Sequence, residues 1–411
     1  MKSLVASALR WRDLMLAPLR WAMLGDAAGE RFKRAFAEVL GLRPEQVWLF
    51  GAGRCALHAF VESLELPPGA EVLLPGYTCV VVPHVFLHAG LQVRYVDIDA
   101  GGFNVGAESV AAAVGPRTRV VLLPHNFGIG MAGIAGLRER FPQLVFIEDA
   151  AHAWGGRDAH GRALGALGHA AFFSFEYSKP LSTGLGGALV INDEALRARF
   201  GARELRLRRP AMSKILRQML TLSWHRLGAT LPAAGLRLLQ AVLRTPSRML
   251  GLVAKTSNAE VQGEARPDYA QGLHPLCAAL GLPQLERATK LWALRQAQAR
   301  RYDEILAGSA RFVVPCRSDG DVLLRYPVRL GRPSEREAVL AELAGLGIVG
   351  GTWFDDVVHP RGSGGHGYVA GDCPQGEAAA EAVFNLPLGL HADLSERQER
   401  GLRALAERAP R

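Results

Sequence analysis

Between Ala35 and Asn192, seven short β-rich runs alternate with helical stretches, which restricts the chain to a mainly parallel sheet wrapped by helices. The runs are Val47 to Phe50, Glu71 to Leu74, Val93 to Val96, Val120 to Leu123, Val145 to Ile147, Ala171 to Phe175 and Ala188 to Ile191. On such sheets ligands bind outside the carboxyl ends of strands. Gly51, Asp149 and Lys179 all follow strand ends, so chemistry is sought there first.

Lys179 closes the segment Phe172-Phe173-Ser174-Phe175-Glu176-Tyr177-Ser178-Lys179, where an apolar strand breaks into the turn Pro180-Leu181-Ser182-Thr183-Gly184-Leu185-Gly186-Gly187. Desolvation at such a place disfavours the ammonium and favours the free amine, the form that attacks a carbonyl to make a Schiff base. That chemistry suggests a pyridoxal phosphate (PLP) enzyme; a lysine beside a glycine turn is otherwise an exposed loop residue. In Val145-Phe146-Ile147-Glu148-Asp149 a buried strand ends in two carboxylates. PLP is an electron sink only while its ring nitrogen stays protonated, and Asp149 is placed to hold that proton. Asp149 would serve equally as a helix N-cap, and His152 as a core histidine. In Trp48-Leu49-Phe50-Gly51-Ala52-Gly53-Arg54-Cys55 a strand meets a glycine turn that opens a helix. Unpaired amides at a helix N-terminus bind phosphate, which makes Gly53, Arg54 and Cys55 the candidate cradle.

These segments occur in one order with several others: Gly51-Ala52-Gly53, Leu74-Pro75-Gly76-Tyr77-Thr78, Val96-Asp97-Ile98-Asp99, His125-Asn126-Phe127-Gly128, Glu148-Asp149-Ala150-Ala151-His152-Ala153, Phe173-Ser174-Phe175 with Lys179, and Thr183-Gly184-Leu185-Gly186-Gly187-Ala188. In that order the chain resembles the DegT/StrS-type sugar aminotransferases, a branch of the fold-type-I PLP enzymes. The likeness runs from Ala35 to Leu196 and again from Leu276 onward. It implies an α/β fold with a large PLP-binding domain, a mainly parallel central sheet flanked by helices, and a smaller α+β C-terminal domain. It implies that Lys179 holds PLP as a Schiff base, that Asp149 pairs with the pyridine nitrogen, and that Ser174 and the Gly53 to Cys55 turn bind its phosphate. His152 stands where the family commonly has glutamine near the ring hydroxyl. A related branch that dehydrates sugars has histidine in place of the lysine, so the presence of Lys179 favours transamination. The resemblance further suggests glutamate as amino donor, a keto-sugar nucleotide as acceptor, and a homodimer with its sites at the subunit interface.

Several positions depart from the family pattern. Cys79 falls where an aromatic residue usually stacks on the PLP ring; His84 and Trp154 are the candidate substitutes. Arg54 replaces a small hydroxyl residue, and Leu185 a frequent glutamate. Ala270-Gln271-Gly272 aligns with an Asn-Tyr-Arg contact given by the neighbouring subunit, and Trp353-Phe354 replaces a frequent His-Tyr pair. These changes put the substrate in question, and leave open a PLP enzyme on a non-sugar keto substrate, an elimination, or a PLP-fold regulatory protein without turnover.

At 411 residues the chain is long enough for two domains. The expected division is a helical arm over 1–34, a large domain over 35–275 and a linking helix with a small domain over 276–411. The N-terminus, cut up by Arg10, Arg12, Asp13 and Arg20, reads as an arm and not as a signal peptide. Five cysteines without regular spacing argue for a reducing, cytoplasmic compartment and against a disulfide framework or a metal site. Net charge is +9, concentrated in a basic insert: residues 201 to 260 hold eleven Lys and Arg against Glu204 and Glu260. There Ile215, Leu216, Met219 and Leu220 are expected to share one helix face, and Arg237, Gln240, Arg244 and Arg248 to form a polar stripe around Leu236, Leu239 and Leu243. Such an insert would lie on an anionic membrane surface or pack on protein; no recognition motif points to nucleic acid. A long helix from Pro283 through Tyr302 is expected to lead into the small domain, with strands at Phe312 to Val314 and Leu323 to Val328, a helix from Ser334 to Ala344, and a closing strand from Phe384 to Leu388. The loop Pro360 to Gly367 reads as flexible.

Overall fold

The computed structural model describes residues 8–230, 258–265 and 269–409, apart from the side chains of 228–230. The expected stripe Arg237, Gln240, Arg244 and Arg248 lies outside these residues.

The strands in chain order are β1 (Val47–Phe50), β2 (Glu71–Pro75), β3 (Thr78–Cys79), β4 (Gln92–Val96), β5 (Thr118–Pro124), β6 (Val145–Asp149), β7 (Ala170–Ser174) and β8 (Gly187–Ile191). Seven of them form one sheet in the order β1-β8-β7-β6-β5-β2-β4. From β7 to β4 all neighbours run parallel, and β8 is antiparallel to both β7 and β1. Side chains alternate across a strand, so each strand feeds two cores. Leu73, Val121, Leu123, Phe146, Ala171 and Phe173 enter one, whereas Val72, Leu74, Val120, Leu122, Ile147 and Phe172 enter the other. Helices cover both faces, which is why these strands are apolar on both sides. Among the described residues no helix is long and apolar enough to cross a membrane.

The N-terminal helices are Trp11–Leu24 and Ala27–Leu40. The second runs past residue 34 and packs into the first core, where Phe32 and Phe36 meet Phe175 and Phe173 edge to face. The expected single helix from Pro283 is two: Pro275–Leu285 and Ala288–Leu306. The break has a partner in the arm, since the Arg287 guanidinium bonds both Asp13 carboxylate oxygens and the Ala8 carbonyl.

Beyond it, β9 (Phe312–Val313), β10 (Tyr326–Leu330), β11 (Val358–His359) and β12 (Val383–Leu386) follow. A smaller sheet has the order β12-β10-β9. The strand expected from Leu323 starts only at Tyr326. Arg295 Nη1 takes the carbonyls of Leu323 and Leu324 at 3.2 and 2.9 Å, and Leu324 N donates to Phe127 O at 2.7 Å, so these residues bond to a helix and to the large sheet's loops. The remaining pair, β3 with β11, is parallel and sets His359 beside Cys79. The glycine-rich loop after it is tied down: Gly364 O accepts from His84 Nε2, His366 O from the Tyr95 hydroxyl, and Gly362 O from Gln262.

Candidate functional site

The carboxyl ends of β1, β6 and β7 bring the motifs together. Helix Gly53–Ser63 starts directly after β1 and packs on β7 and β8. A Cβ on Gly53 would lie 3.0 Å from Phe173 O and 3.3 Å from the Ser174 Cβ, so the turn and the Ser174 side chain face each other closely. Gly187 is forced by the same approach, because a Cβ there would fall 2.4 Å from Gly53 N. The Cys55 amide is spent on Ala52 O at 3.1 Å, so of the expected cradle the Gly53 and Arg54 amides, with the Ser174 hydroxyl, are the groups suited to a phosphate. Arg54 turns away from this cradle, its Nε 2.9 Å from Glu260 of the short helix Asn258–Val261. Ala270-Gln271-Gly272 lies on the chain's own Gly51, whose amide donates to Gln271 O at 2.7 Å.

Asp149 ends β6. Its Oδ1 accepts from Ala151 N at 3.0 Å, which leaves Oδ2 for another donor. Burial pushes its carboxyl up, against the opposing pull of that amide and of Lys179. The preceding Glu148 is fully buried and structural: His125 Nε2 and the amides of Gly165, Leu167 and Gly168 all donate to it. His152 is buried, and its Nδ1 accepts from Phe127 N at 3.3 Å, so its proton sits on Nε2. Burial, then the Lys179 and Arg325 charges, hold its imidazole well below the ordinary value, so it stays neutral.

Lys179 is half-buried in the turn after β7, anchored by its amide to Glu176 O at 3.0 Å. Burial lowers its amine below the ordinary lysine range, although Glu176, Cys79 and Asp149 pull the other way. Glu176 is held by the Ser178 amide at 3.0 Å and hydroxyl at 2.6 Å, and burial raises its carboxyl. Cys79 lies close enough to feel the Lys179, Asp149 and Arg54 charges, and burial raises its thiol.

The two candidate substitutes for the missing aromatic have partners elsewhere. His84 bonds Gly364, and Trp154 packs edge to face on Trp292. The ring beside the lysine is Trp353, its centroid 5.6 Å from Lys179 Nζ. Trp353 also carries the Arg325 guanidinium at 4.5 Å and the His359 ring at 4.5 Å, and His359 Nδ1 pairs with Asp355 at 2.6 Å. Glu176, Arg325 and His359 were not among the sequence candidates. Arg325 did carry a signal: it is the lone charge inside Val322-Leu323-Leu324-Arg325-Tyr326-Pro327-Val328.

PLP fits this donor set: an amine with a lowered proton affinity, a carboxylate with one free oxygen, a neutral histidine donor, and a glycine cradle facing a serine hydroxyl.

Comparison with known proteins agrees. The chain is 28% identical over 377 residues to GDP-perosamine synthase of Caulobacter vibrioides, covering 89% of this chain and 85% of that one. It is 34% identical over 178 residues to the dTDP-4-dehydro-2,3,6-trideoxy-D-glucose 4-aminotransferase of Saccharopolyspora spinosa, a match spanning 43% of this chain and 46% of that relative, about half its length. The fold matches the crystal structure of the aminotransferase TlmJ from Streptoalloteichus hindustanus with a TM-score of 0.71 at 24% identity, covering 98% and 97% of the two chains. With residues 16–239 and 245–400 matching its pattern, the chain belongs to the DegT/DnrJ/EryC1/StrS aminotransferase family.

Proposed function

We propose that this chain is a PLP-dependent aminotransferase that takes an amino group from glutamate and delivers it to a keto-sugar nucleotide. The observation that carries the reading is Lys179: an amine whose protonation burial disfavours, set between Asp149 and Glu176 at the carboxyl ends of the sheet. Bound there, PLP supplies an electron sink for the charge left when a Cα–H bond breaks. The Gly53 and Arg54 amides and Ser174 would hold its phosphate, Asp149 Oδ2 the proton on its ring nitrogen, and His152 Nε2–H would donate to its ring oxygen. Lys179 Nζ, its protonation disfavoured by burial, would take the α-proton of the amino donor and give it back. The same groups serve the acceptor in reverse, so kinetics are ping-pong.

The test is Lys179→Ala. Turnover is expected to fall by about a thousandfold or more, with circular dichroism unchanged; activity that survives in a folded variant sinks the reading. The wild-type protein with PLP should show the absorbance band of a lysine-bound cofactor, and glutamate should shift it. The reading includes a homodimer in the cytoplasm, checked by equilibrium sedimentation. It also includes a peripheral membrane contact, favoured by exposed apolar residues on helices Trp11–Leu24 and Met212–Thr230 among Arg12 and Arg217.

A further inference from the structure

Arg325 sits at the end of a segment fixed on both sides. The carbonyls of Leu323 and Leu324 are held by Arg295, and the Tyr326 hydroxyl donates to Asp303 Oδ1 at 2.6 Å. The side chain is 4% exposed, yet its Nε has no hydrogen-bond partner and its guanidinium no ion pair among the described residues. Burial lowers it to about 10, which still leaves a cation at neutral pH. A buried guanidinium without an anion is unfavourable, and its planar fork matches a carboxylate. Glu176 influences Arg325 through space but spends its hydrogen bonds on Ser178.

Position selects the anion. Arg325 and Lys179 Nζ lie over one ring, Trp353, at 4.5 and 5.6 Å. Arg325 also acts on His152 and Glu176, whereas Cys79 feels Arg54 beside the phosphate turn. An amino acid whose nitrogen takes the place of Lys179 Nζ carries its α-carboxylate two bonds away. We infer that Arg325, backed by Trp353, is a carboxylate-binding subsite that receives the α-carboxylate of the amino donor. This rests on the aminotransferase reading; a carboxylate on the keto acceptor is the other source of the same chemistry.

The experiment is the donor half-reaction followed by absorbance of the PLP-loaded protein, with glutamate, its 5-amide and its 1-amide. In the wild type, the 1-amide, which lacks the α-carboxylate charge, is expected to need at least about tenfold more donor for half-saturation than the 5-amide. Arg325→Met should raise the glutamate requirement by a similar factor and erase the difference between the amides; Arg325→Lys should fall between. Equal use of both amides by the wild type overturns the inference without needing any variant to fold. Unchanged glutamate dependence in a folded Arg325→Met, with a weakened acceptor half-reaction, also overturns it and moves the carboxylate to the acceptor. A wild-type protein that responds to no amino acid fails the aminotransferase reading itself, which is a distinct outcome.

Discussion

Six histidines in this chain are poor proton acceptors. Burial lowers His58, His84, His152, His169, His225 and His274 below the ordinary 6.5. The sign follows: as pH drops below 6.5, the unfolded chain gains protons that the folded chain refuses, so stability present above that pH is lost. Asp149, Glu176 and Asp321 act oppositely, because burial raises their carboxyls and the folded state takes their protons first. A single substitution isolates one contribution. His152→Gln retains a donor and removes a titrating ring, so the stability of cofactor-free protein should depend less on pH between 5.5 and 7, by up to about 1.4 kcal/mol per pH unit. Urea unfolding across that range measures it, and an unchanged slope would show that His152 titrates normally.

At the scale of elements, two glycines separate close approach from mere helix content. Gly187→Ala would push a Cβ against backbone atoms of Ala52 and Gly53, which cannot rotate away. A loss of roughly 3 kcal/mol is expected, together with weaker PLP binding. Gly29 lies in helix Ala27–Leu40 with nothing within 4 Å of a Cβ, so Gly29→Ala should gain about 0.5–1 kcal/mol. Unfolding midpoints check both. The strands of the large sheet were legible because burial on both faces writes continuous apolar runs, and Lys179, Asp149 and the Gly53 turn because each follows such a run. Elements governed by a distant partner were not. The helix break at Arg287 depends on Asp13, and the delayed start of β10 depends on Arg295. On helix Met212–Thr230 the buried stripe is Ile215, Gln218 and Leu222, with Leu216 and Leu220 exposed. Gln218 and Leu222 are drawn in by Gly184, where a Cβ would meet both at 2.9 and 3.0 Å; apolarity alone could not choose between the two stripes.

That displaced stripe matters for the whole molecule. Helices Trp11–Leu24 and Met212–Thr230 share a small core through Leu14, Ala17, Ile215 and Leu222. Outward they present Met15, Leu19 and Met23 at 74%, 57% and 75% exposure, and Leu216 and Leu220 at 53% and 55%. Residues spaced by four fall on one helix face, so each helix shows a continuous apolar ridge. Arg12 and Arg217 flank the ridges in a chain of net charge +9. Apolar side chains that can enter the headgroup layer, ringed by cations, suit an anionic lipid surface, to which each cation adds about 1 kcal/mol. The protein should therefore float with vesicles containing anionic lipid at low salt, fall off as salt screens the attraction, and ignore neutral vesicles. Leu216→Glu with Leu220→Glu should abolish flotation. If the wild type stays at the bottom at low salt, the lipid assignment fails; a dimer that this double variant splits would give the face to a second copy of the chain.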